Sequence, residues 1–257
     1  MTLDEGAPRV DSAEALTSAL RQFQRLEGYR IEGGFSWPEE LQDASFSGCR
    51  FEDNTLAGAG LPGALFEDCE FLGCSFRGAE LNDSRFVNSK LYVDEQACDL
   101  RYCELRDVHF EDCDLTTCNF ERSSAYGLKL ILCQAQGADF TNVDFGLTLG
   151  RNQTLIDLHC EGSNLAYADF SSTYLSGAVF RSTRLVHAVM HNCDLSKAEI
   201  TDCELDNLEA VRLVLADSNL TGSRFNNLNP REIDLTGAKV DADQALGLLA
   251  ALGIEVV

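Results

Sequence analysis

The stretch "FEDCEFLGCSFRGAELNDSRF", from Phe66 to Phe86, has a large apolar residue at every fifth position. An α-helix repeats about every 3.6 residues and a β-strand about every two, so neither explains this spacing. A fixed short period is typical of a solenoid, in which one structural unit is stacked many times. The period therefore indicates a solenoid rather than an ordinary layered domain.

The five-residue period extends over most of the 257 residues. Between Phe46 and Leu91 all ten positions of the period are Phe or Leu, and between Leu100 and Val240 the same holds for 20 of 29 positions. We call these large apolar residues the central residues. Leu91 and Leu100 are nine residues apart, so the repeat is interrupted between them.

Small residues occupy a second column, two positions before the central residues. Ten of the eleven cysteines lie in this column, and Cys160 is itself central. Residues two apart in an extended chain point to the same side, so both columns should face inward, with cysteine as a small buried apolar residue. Cysteines 20 apart, such as Cys98 and Cys118, would stack with parallel side chains, a poor geometry for a disulfide. We expect neither disulfides nor a metal site.

Turn-forming residues flank each central residue. Glycine is frequent two positions later, and Asp, Asn or Glu often stands one position earlier. Each five-residue unit is therefore expected to be a short extended piece followed by a turn. Four units make one square coil, in which equivalent residues of successive coils stack at about 4.8 Å.

The units "ADFSS", "CDLSK", "CNFER" and "SNLTG" resemble the motif of the pentapeptide-repeat family, roughly a small residue, Asp or Asn, Leu or Phe, a polar residue and Gly. The resemblance implies an all-β solenoid, a right-handed quadrilateral β-helix of about ten coils with short N- and C-terminal α-helices. We expect an N-terminal helix and capping segment in residues 1–43 and the β-helix in 44–240, with a break at 92–99. Residues 241–257 would form a C-terminal helix and tail.

Both ends are predicted to be helical. Asp11 can cap an N-terminal helix that ends near Gly28 and covers the open first coil. The C-terminal helix, capped by Asp241 or Asp243, is too apolar for an isolated segment, so it either covers the last coil or pairs with a second copy. This end resembles the dimerisation module of the pentapeptide-repeat proteins that protect DNA gyrase, which favours a homodimer. Its apolar residues are Leu246, Leu249, Leu252, Ile254 and Val256.

Two segments disturb the period. The interval after Leu91 fits either one deleted residue or an inserted loop of about four residues. The residues then expected to project, with or without a binding role, are Tyr92, Val93, Asp94 and Glu95. Residues 146–160 keep the period but include poor core residues, so they form either a distorted coil or a loop.

The formal net charge of −22 narrows the possible partners. Phosphates would repel so acidic a protein, so we expect no direct binding to nucleic acid or to an anionic membrane. A basic protein surface is the expected partner, although the acidity could also serve only solubility. The sequence has no signal segment and no apolar run of about 18 residues, which favours the cytoplasm.

No catalytic set is visible in the sequence. The four histidines lack a zinc-type spacing, and neither a phosphate-binding glycine loop nor an activated serine is present. We therefore expect no enzyme activity and no cofactor, and surface charge is the remaining candidate site. A constant coil of 20 residues predicts two acidic walls, whose partner-binding carboxylates are Asp99, Asp114, Glu121, Asp139, Asp157, Glu161, Asp194, Glu199, Asp202, Asp217 and Asp234.

The family resemblance implies one function and leaves an alternative open. Acidic dimeric rods of the family are thought to mimic DNA, so this protein would bind DNA gyrase or topoisomerase IV and protect it from quinolones or poisoning toxins. Alternatively, it is a non-catalytic scaffold that displays a protein-interaction surface.

Overall fold

A computed structural model describes residues 7–38, 41–150, 153–226 and 228–255. The chain forms a β-solenoid of about nine turns, which confirms the predicted fold class. The helices and strands of these residues are β1 (Arg9–Val10), α1 (Ala13–Phe23), β2 (Arg25–Glu27), β3 (Arg30–Glu32), β4 (Ser45–Ser47), β5 (Arg50–Glu52), β6 (Leu65–Glu67), β7 (Glu70–Leu72), β8 (Arg85–Val87), β9 (Tyr92–Val93), β10 (Gln96–Ala97), β11 (His109–Glu111), β12 (Leu128–Ile131), β13 (Gly146–Leu149), β14 (Gln153–Ile156), β15 (Leu158–Glu161), β16 (Val179–Arg181), β17 (Glu199–Thr201) and α2 (Ala242–Ala251).

Each regular coil passes through four faces in chain order. Face 1 carries a nine-stranded parallel sheet in the order β2-β4-β6-β8-β11-β12-β15-β16-β17, and face 2 begins with the sheet β1-β3-β5-β7. Single parallel bridges continue face 2 from Lys90 to Arg224 and build face 3 from Thr55 to Glu209 and face 4 from Gly60 to Asp234. Because a coil visits the faces in turn, faces 2 and 4 lie on opposite sides.

The central residues fill the interior of the solenoid. The twelve largest fully buried side chains are all phenylalanines of the five-residue period. Phe66 stacks between Phe46 and Phe86, at ring-centroid distances of 5.1 and 4.6 Å. Such stacked pairs add to the free energy gained by burying their area. The prediction that these residues point inward is confirmed.

The small residues of the second column are buried too, but many of them also donate hydrogen bonds. The Cys133 thiol donates to the carbonyl oxygen of Phe110 at 3.3 Å, and the Ser223 hydroxyl donates to that of Ile200 at 2.7 Å. Cysteine and serine therefore satisfy the carbonyl of a central residue one coil earlier, which alanine could not do. All eleven cysteines are free, and within the described ranges no cluster of three or more His, Cys, Asp or Glu could hold a metal ion.

The interruption after Leu91 is a hairpin, not a deletion. β9 and β10 pair antiparallel across a turn at Asp94 and Glu95, both of which have positive φ. Phe86 pairs in register with Phe110, 24 residues later, so four residues are added to a coil of 20.

A second hairpin, β13–β14, occupies the other irregular segment. Leu130 pairs with Cys160, 30 residues later, so ten residues are added. The segment is therefore a loop and not a distorted coil. Leu155 lies on the five-residue period but is 36% exposed, because it belongs to the hairpin and not to the core.

The stacked strands begin before residue 44, the predicted start of the β-helix. Leu26 in β2 pairs with Phe46, and Ile31 in β3 pairs with Phe51, and both are fully buried. Both residues lie on the five-residue period counted back from Phe46. Charged residues on either side of each one hide the family motif in the sequence.

Helix α1 covers the N-terminal end of the solenoid with Leu16, which is fully buried. Its N-cap is Ser12 and not Asp11, since the Ser12 hydroxyl accepts the backbone N–H of Ala15 at 3.2 Å. The helix ends at Phe23, followed by Gln24 in the left-handed region, and does not reach Gly28.

Helix α2 lies against the last coil. Its N-cap is Asp241, whose backbone N–H donates to Gln244 Oε1 at 2.7 Å. Gln244 Nε2 in turn donates to the carbonyl oxygen of Leu220 at 2.8 Å, which ties the helix to the solenoid. Across the described ranges, no helix combines the length and apolarity needed to cross a bilayer.

Candidate functional site

Charge is distributed unevenly over the four faces. On face 2, bases and acids alternate in a ladder of ion pairs that runs through Arg30, Glu52, Arg50, Glu70 and Lys90. The N–O distances along this ladder lie between 2.5 and 3.0 Å. The carboxylates of this part of face 2 are therefore compensated by the chain's own bases.

Face 4 has the opposite character. Ten carboxylates lie along it and along its corner with face 1, and its described residues include only two bases, Arg106 and Lys197. None of the ion pairs between described residues involves these carboxylates, and all except the half-buried Asp194 are exposed. We call this set the acidic face; it consists of Asp43, Glu80, Asp83, Glu104, Asp107, Asp144, Asp157, Asp194, Asp217 and Asp234. Uncompensated charge on one side of a rod produces a directional negative field.

The grouping of carboxylates into the two predicted walls is wrong. The β13–β14 hairpin adds ten residues, half a coil, so a constant count of 20 places every residue after it two faces away from its true position. Four predicted residues lie on the acidic face, namely Asp157, Asp194, Asp217 and Asp234. The others are Glu161, Glu199 and Asp202 on face 1, Asp114 on face 2, and Asp99, Glu121 and Asp139 on face 3.

Some of these other carboxylates are already engaged within the chain. Asp99 Oδ2 lies 2.8 Å from Arg101 Nη2, and Glu199 Oε1 lies 2.8 Å from Arg181 Nε. Hydrogen bonds from these guanidinium groups lower the pKa of both carboxyls. Both carboxyls therefore stay ionised, and the neighbouring guanidinium group largely compensates the negative charge of each one.

The Asp and Asn residues before the central residues also shape the turns. Asp194 Oδ1 accepts the backbone N–H of Ser196 at 2.8 Å, and Asn119 Oδ1 accepts that of Glu121 at the same distance. On Asp234, the equivalent backbone hydrogen bond lowers the pKa of the carboxyl. Because Asn makes the same turn bond as Asp, an Asp→Asn change at these positions removes the charge and keeps the turn.

The two hairpins project from diagonally opposite corners. The β9–β10 hairpin follows a central residue of face 2 and leaves between faces 2 and 3, whereas β13–β14 follows one of face 4 and leaves between faces 4 and 1. At the first hairpin, Asp94 and Glu95 form an exposed tip, and Tyr92 and Val93 are half-buried. Of the four predicted residues, only the two acidic ones are exposed.

The β13–β14 hairpin has one apolar side. Leu147 pairs with Leu155, and Thr148 pairs with Thr154, so leucines and threonines lie on opposite sides of the two strands. Leu149, on the leucine side, is 44% exposed. Exposed apolar side chains that are grouped in this way often mark a contact surface. Here they emerge next to the acidic face.

The C-terminal end presents a second apolar surface. Leu246 and Ile254 are 46% and 48% exposed, and Leu249 and Leu252 are half-buried. Val256, the fifth residue predicted for dimerisation, lies outside the described residues. The role of these residues in dimerisation stays a prediction.

Two family models match the repeats. One, a pentapeptide repeat region, matches residues 63–140, and the other, pentapeptide repeats in 8 copies, matches residues 151–181 and 173–207. The first match ends before the β13–β14 hairpin, and the second begins at residue 151 and includes β14.

Two curated relatives align with part of the chain. Quinolone resistance pentapeptide repeat protein QnrB96 of Scandinavium goeteborgense is 25% identical over 142 residues, which are 53% of this chain and 58% of the relative. Pentapeptide repeat protein QnrB4 of Escherichia coli is 30% identical over 81 residues, which are 32% of this chain and 38% of the relative. In both alignments the chain spans less than two thirds of the relative.

Solved structures of QnrB1, a plasmid-mediated fluoroquinolone resistance protein, have the same fold. A trypsin-treated form is 26% identical, with a TM-score of 0.66 over 89% of this chain and 100% of that chain. The full-length form is 24% identical, with a TM-score of 0.67 over 97% and 100% of the two chains. The five-residue period, the stacked coils, both family models and these structures agree that the chain belongs to the pentapeptide-repeat family and resembles its quinolone-resistance members.

Proposed function

We propose that this protein is a non-catalytic DNA mimic that binds a type II topoisomerase, DNA gyrase or topoisomerase IV, and protects it from quinolones or poisoning toxins. The observation that carries the proposal is the acidic face, on which ten carboxylates lack ion pairs among the described residues, whereas the carboxylates of the ladder on the opposite face are compensated. The relatives named for quinolone resistance suggest the class of target. Such a partner implies that the protein acts in the cytoplasm.

The row of charges suits a surface that normally holds DNA. Successive coils stack at about 4.8 Å, and carboxylates recur along face 4 every one or two coils, so the acidic face is a row of negative charge, as the phosphates of a DNA strand are. A basic groove would attract both rods through the same long-range field. Binding should weaken as ionic strength rises, because salt screens exposed charges.

A homodimer would extend the acidic rod. The exposed Leu246 and Ile254 of the C-terminal surface would be covered if two copies met there around a two-fold axis. The acidic faces of both copies would then lie along one longer particle, as a DNA duplex would cross the enzyme.

The test compares two triple variants that remove the same charge from different faces. The face 4 triple is Asp144→Asn, Asp194→Asn and Asp234→Asn, and the control triple on faces 2 and 3 is Asp114→Asn, Asp139→Asn and Asp169→Asn. All six carboxylates accept a backbone N–H two residues later, at 2.8 to 3.0 Å, so each Asn preserves its turn. Gyrase supercoiling is then measured with a quinolone present and with each protein added.

Wild-type protein and the control triple should restore supercoiling at similar concentrations. The face 4 triple should require roughly tenfold more protein, on the order of half a kcal/mol for each lost charge. Failure of the wild type to protect gyrase or topoisomerase IV at micromolar concentration contradicts the function. Equal weakening by the two triples contradicts the assignment of binding to face 4.

A further inference from the structure

Tyr102 and Tyr167 occupy equivalent positions in the repeat. Each lies two residues after a central residue and has a positive φ, 60° and 62° respectively. At each corner the equivalent residue of the preceding coil is a glycine, Gly78 for Tyr102 and Gly137 for Tyr167. The backbone N–H of each glycine donates to the carbonyl oxygen of the residue before the tyrosine. The two corners therefore have the same backbone and can be compared directly.

At the first corner the chain covers the ring with its own guanidinium. Arg77, the residue before Gly78, places Cζ 4.8 Å from the ring centroid of Tyr102. Its Nη1 lies 3.7 Å from Asp99 Oδ2, which helps to hold it there. This is a cation–π contact, and the Arg77 side chain can reach the ring because Gly78 has no side chain in between.

At the second corner the equivalent of the arginine is Gln136. Its amide nitrogen donates to Gln134 Oε1 at 3.2 Å, so the side chain is held along face 2. Gly137, below the ring, offers no side chain. Among the described residues no cation lies over Tyr167, which is 60% exposed, compared with 44% for Tyr102.

The other side of the Tyr167 ring is occupied. The ring stacks on His187, with centroids 5.0 Å apart and an angle of 6° between the planes. His187 lies one coil after Tyr167 at the same corner. The stack therefore fixes the ring with its free side towards Gly137, one coil before it. A tyrosine at positive φ is strained relative to Asn or Gly.

The same corner of the solenoid, between faces 2 and 3, carries the β9–β10 hairpin. Three coils separate the hairpin from Tyr167, about 14 Å at the spacing of stacked coils. The corner residues between them are Thr117 and Gly137, which are small. A shallow notch therefore lies between the acidic hairpin tip, Asp94 and Glu95, and the free side of the ring.

We propose that this notch binds an extended arginine-containing segment of a basic protein partner, with a guanidinium stacked on Tyr167. The tip of the β9–β10 hairpin would attract a second basic residue about four positions away in that segment. The carboxylates of Asp139 and Asp169 follow two residues after Gly137 and Tyr167, as Glu80 and Glu104 do at the first corner. The notch lies on the side away from the acidic face, so it is a separate contact and does not rest on the proposed function.

The experiment titrates the full-length protein with an acetylated five-residue peptide that has arginine at both ends and three glycines between. A second peptide with lysine in place of arginine has the same charge. The ring signals of the six tyrosines are followed by NMR on protein labelled at tyrosine. The Tyr167 signal should move with the arginine peptide, and the lysine peptide should bind roughly three- to fivefold more weakly.

Three variants test the geometry. Gln136→Arg supplies the missing guanidinium from within the chain and should abolish the peptide-induced shift of Tyr167. Tyr167→Phe keeps the ring and should retain binding, whereas Tyr167→Asn, which suits positive φ, should keep the fold and lose the preference for arginine. Equal binding of the two peptides to wild type, or undiminished binding to Gln136→Arg or Tyr167→Asn, would overturn the proposal. None of these measurements involves a topoisomerase, so their outcome is independent of the proposed function.

Discussion

Leu130 and Cys160 lie side by side in neighbouring strands of face 1, although they are 30 residues apart in the chain. The extra residues belong to the β13–β14 hairpin, which leaves the coil between faces 4 and 1 and returns to the same place. The hairpin is therefore an addition to a complete coil and not one of its walls.

Deleting residues 147–156 should leave the solenoid folded. The deletion restores a 20-residue spacing and joins Gly146 to Asp157, whose carbonyl already accepts the backbone N–H of Gly127 at 2.9 Å. Of the described residues removed, only Ile156 packs against the core, so the thermal midpoint should fall by no more than about 4 °C. Circular dichroism with thermal unfolding measures both effects.

A deletion of equal length inside a regular coil is the control. Removing residues 197–206 takes out the buried Ile200 and Leu205 and should destabilise the protein by several kcal/mol, on the order of 2 kcal/mol or more for each lost side chain. An unfolded 147–156 deletion, or equal destabilisation by both deletions, would show that the hairpin is part of the coil.

The sequence predicts the interior of this protein better than its surface. Whether a residue is buried depends on the local five-residue pattern, which identified nearly every central residue. The face on which a residue lies depends on every insertion before it. The four added residues near Tyr92 break the period and are visible, but the ten added before Asp157 are a multiple of five and leave the period intact.

Ion pairing on the surface was equally hidden from sequence reasoning. Arg50 reaches Glu70, and Arg181 reaches Glu199, across neighbouring stacked coils, and the sequence pattern does not show which neighbouring side chains pair. The acidic face is defined by where such pairs are missing among the described residues, so it required the register. At the N-terminus, Asp11 and Ser12 are both good helix caps, and the hydrogen bond from the Ala15 backbone N–H identifies Ser12 as the cap.

Replacing Leu132 with Asn should stabilise the protein. Leu132 is 55% exposed and has a φ of 55°, a conformation that disfavours leucine and that Asn adopts readily. We expect a gain of about 1 kcal/mol, or roughly 2–4 °C in the thermal midpoint. The control is Asp112→Asn, at the same corner one coil earlier with a φ of 56°, which should change little. A lower midpoint for Leu132→Asn would mean that the leucine side chain makes a needed contact.

The buried thiols should make the protein sensitive to alkaline pH. Burial raises the pKa of the Cys103 thiol from its ordinary value near 9 to about 12. The folded state then keeps a proton that the unfolded state releases, so this stabilisation is complete below pH 9 and is lost as the pH rises towards 12. A rise from pH 8 to pH 10 should lower the free energy of unfolding by about 1 kcal/mol for each such thiol.

Cys103→Ser isolates this effect. The Cys103 thiol donates to the carbonyl oxygen of Phe76, and one coil later Ser123 makes the equivalent bond to Leu100, so serine fits the column. Urea unfolding at pH 8 and pH 10 should show that the wild type loses about 1 kcal/mol more than the variant. Identical losses would show that this thiol does not contribute.

The exposed leucine and isoleucine of the C-terminal surface should determine the oligomeric state. Leu246→Glu combined with Ile254→Glu places two charges where a second copy would bury apolar side chains, so the dimer should dissociate at least a hundredfold more readily, a change of about 3 kcal/mol. A truncation after Val240 should have the same effect.

Val211, 53% exposed on face 3, provides the control, because Val211→Glu adds charge away from this end. Light scattering should give half the wild-type mass for the double variant and the full mass for the control. A monomeric wild type would mean that α2 only caps the last coil, and an unchanged mass in the double variant would place the contact between copies elsewhere on the solenoid.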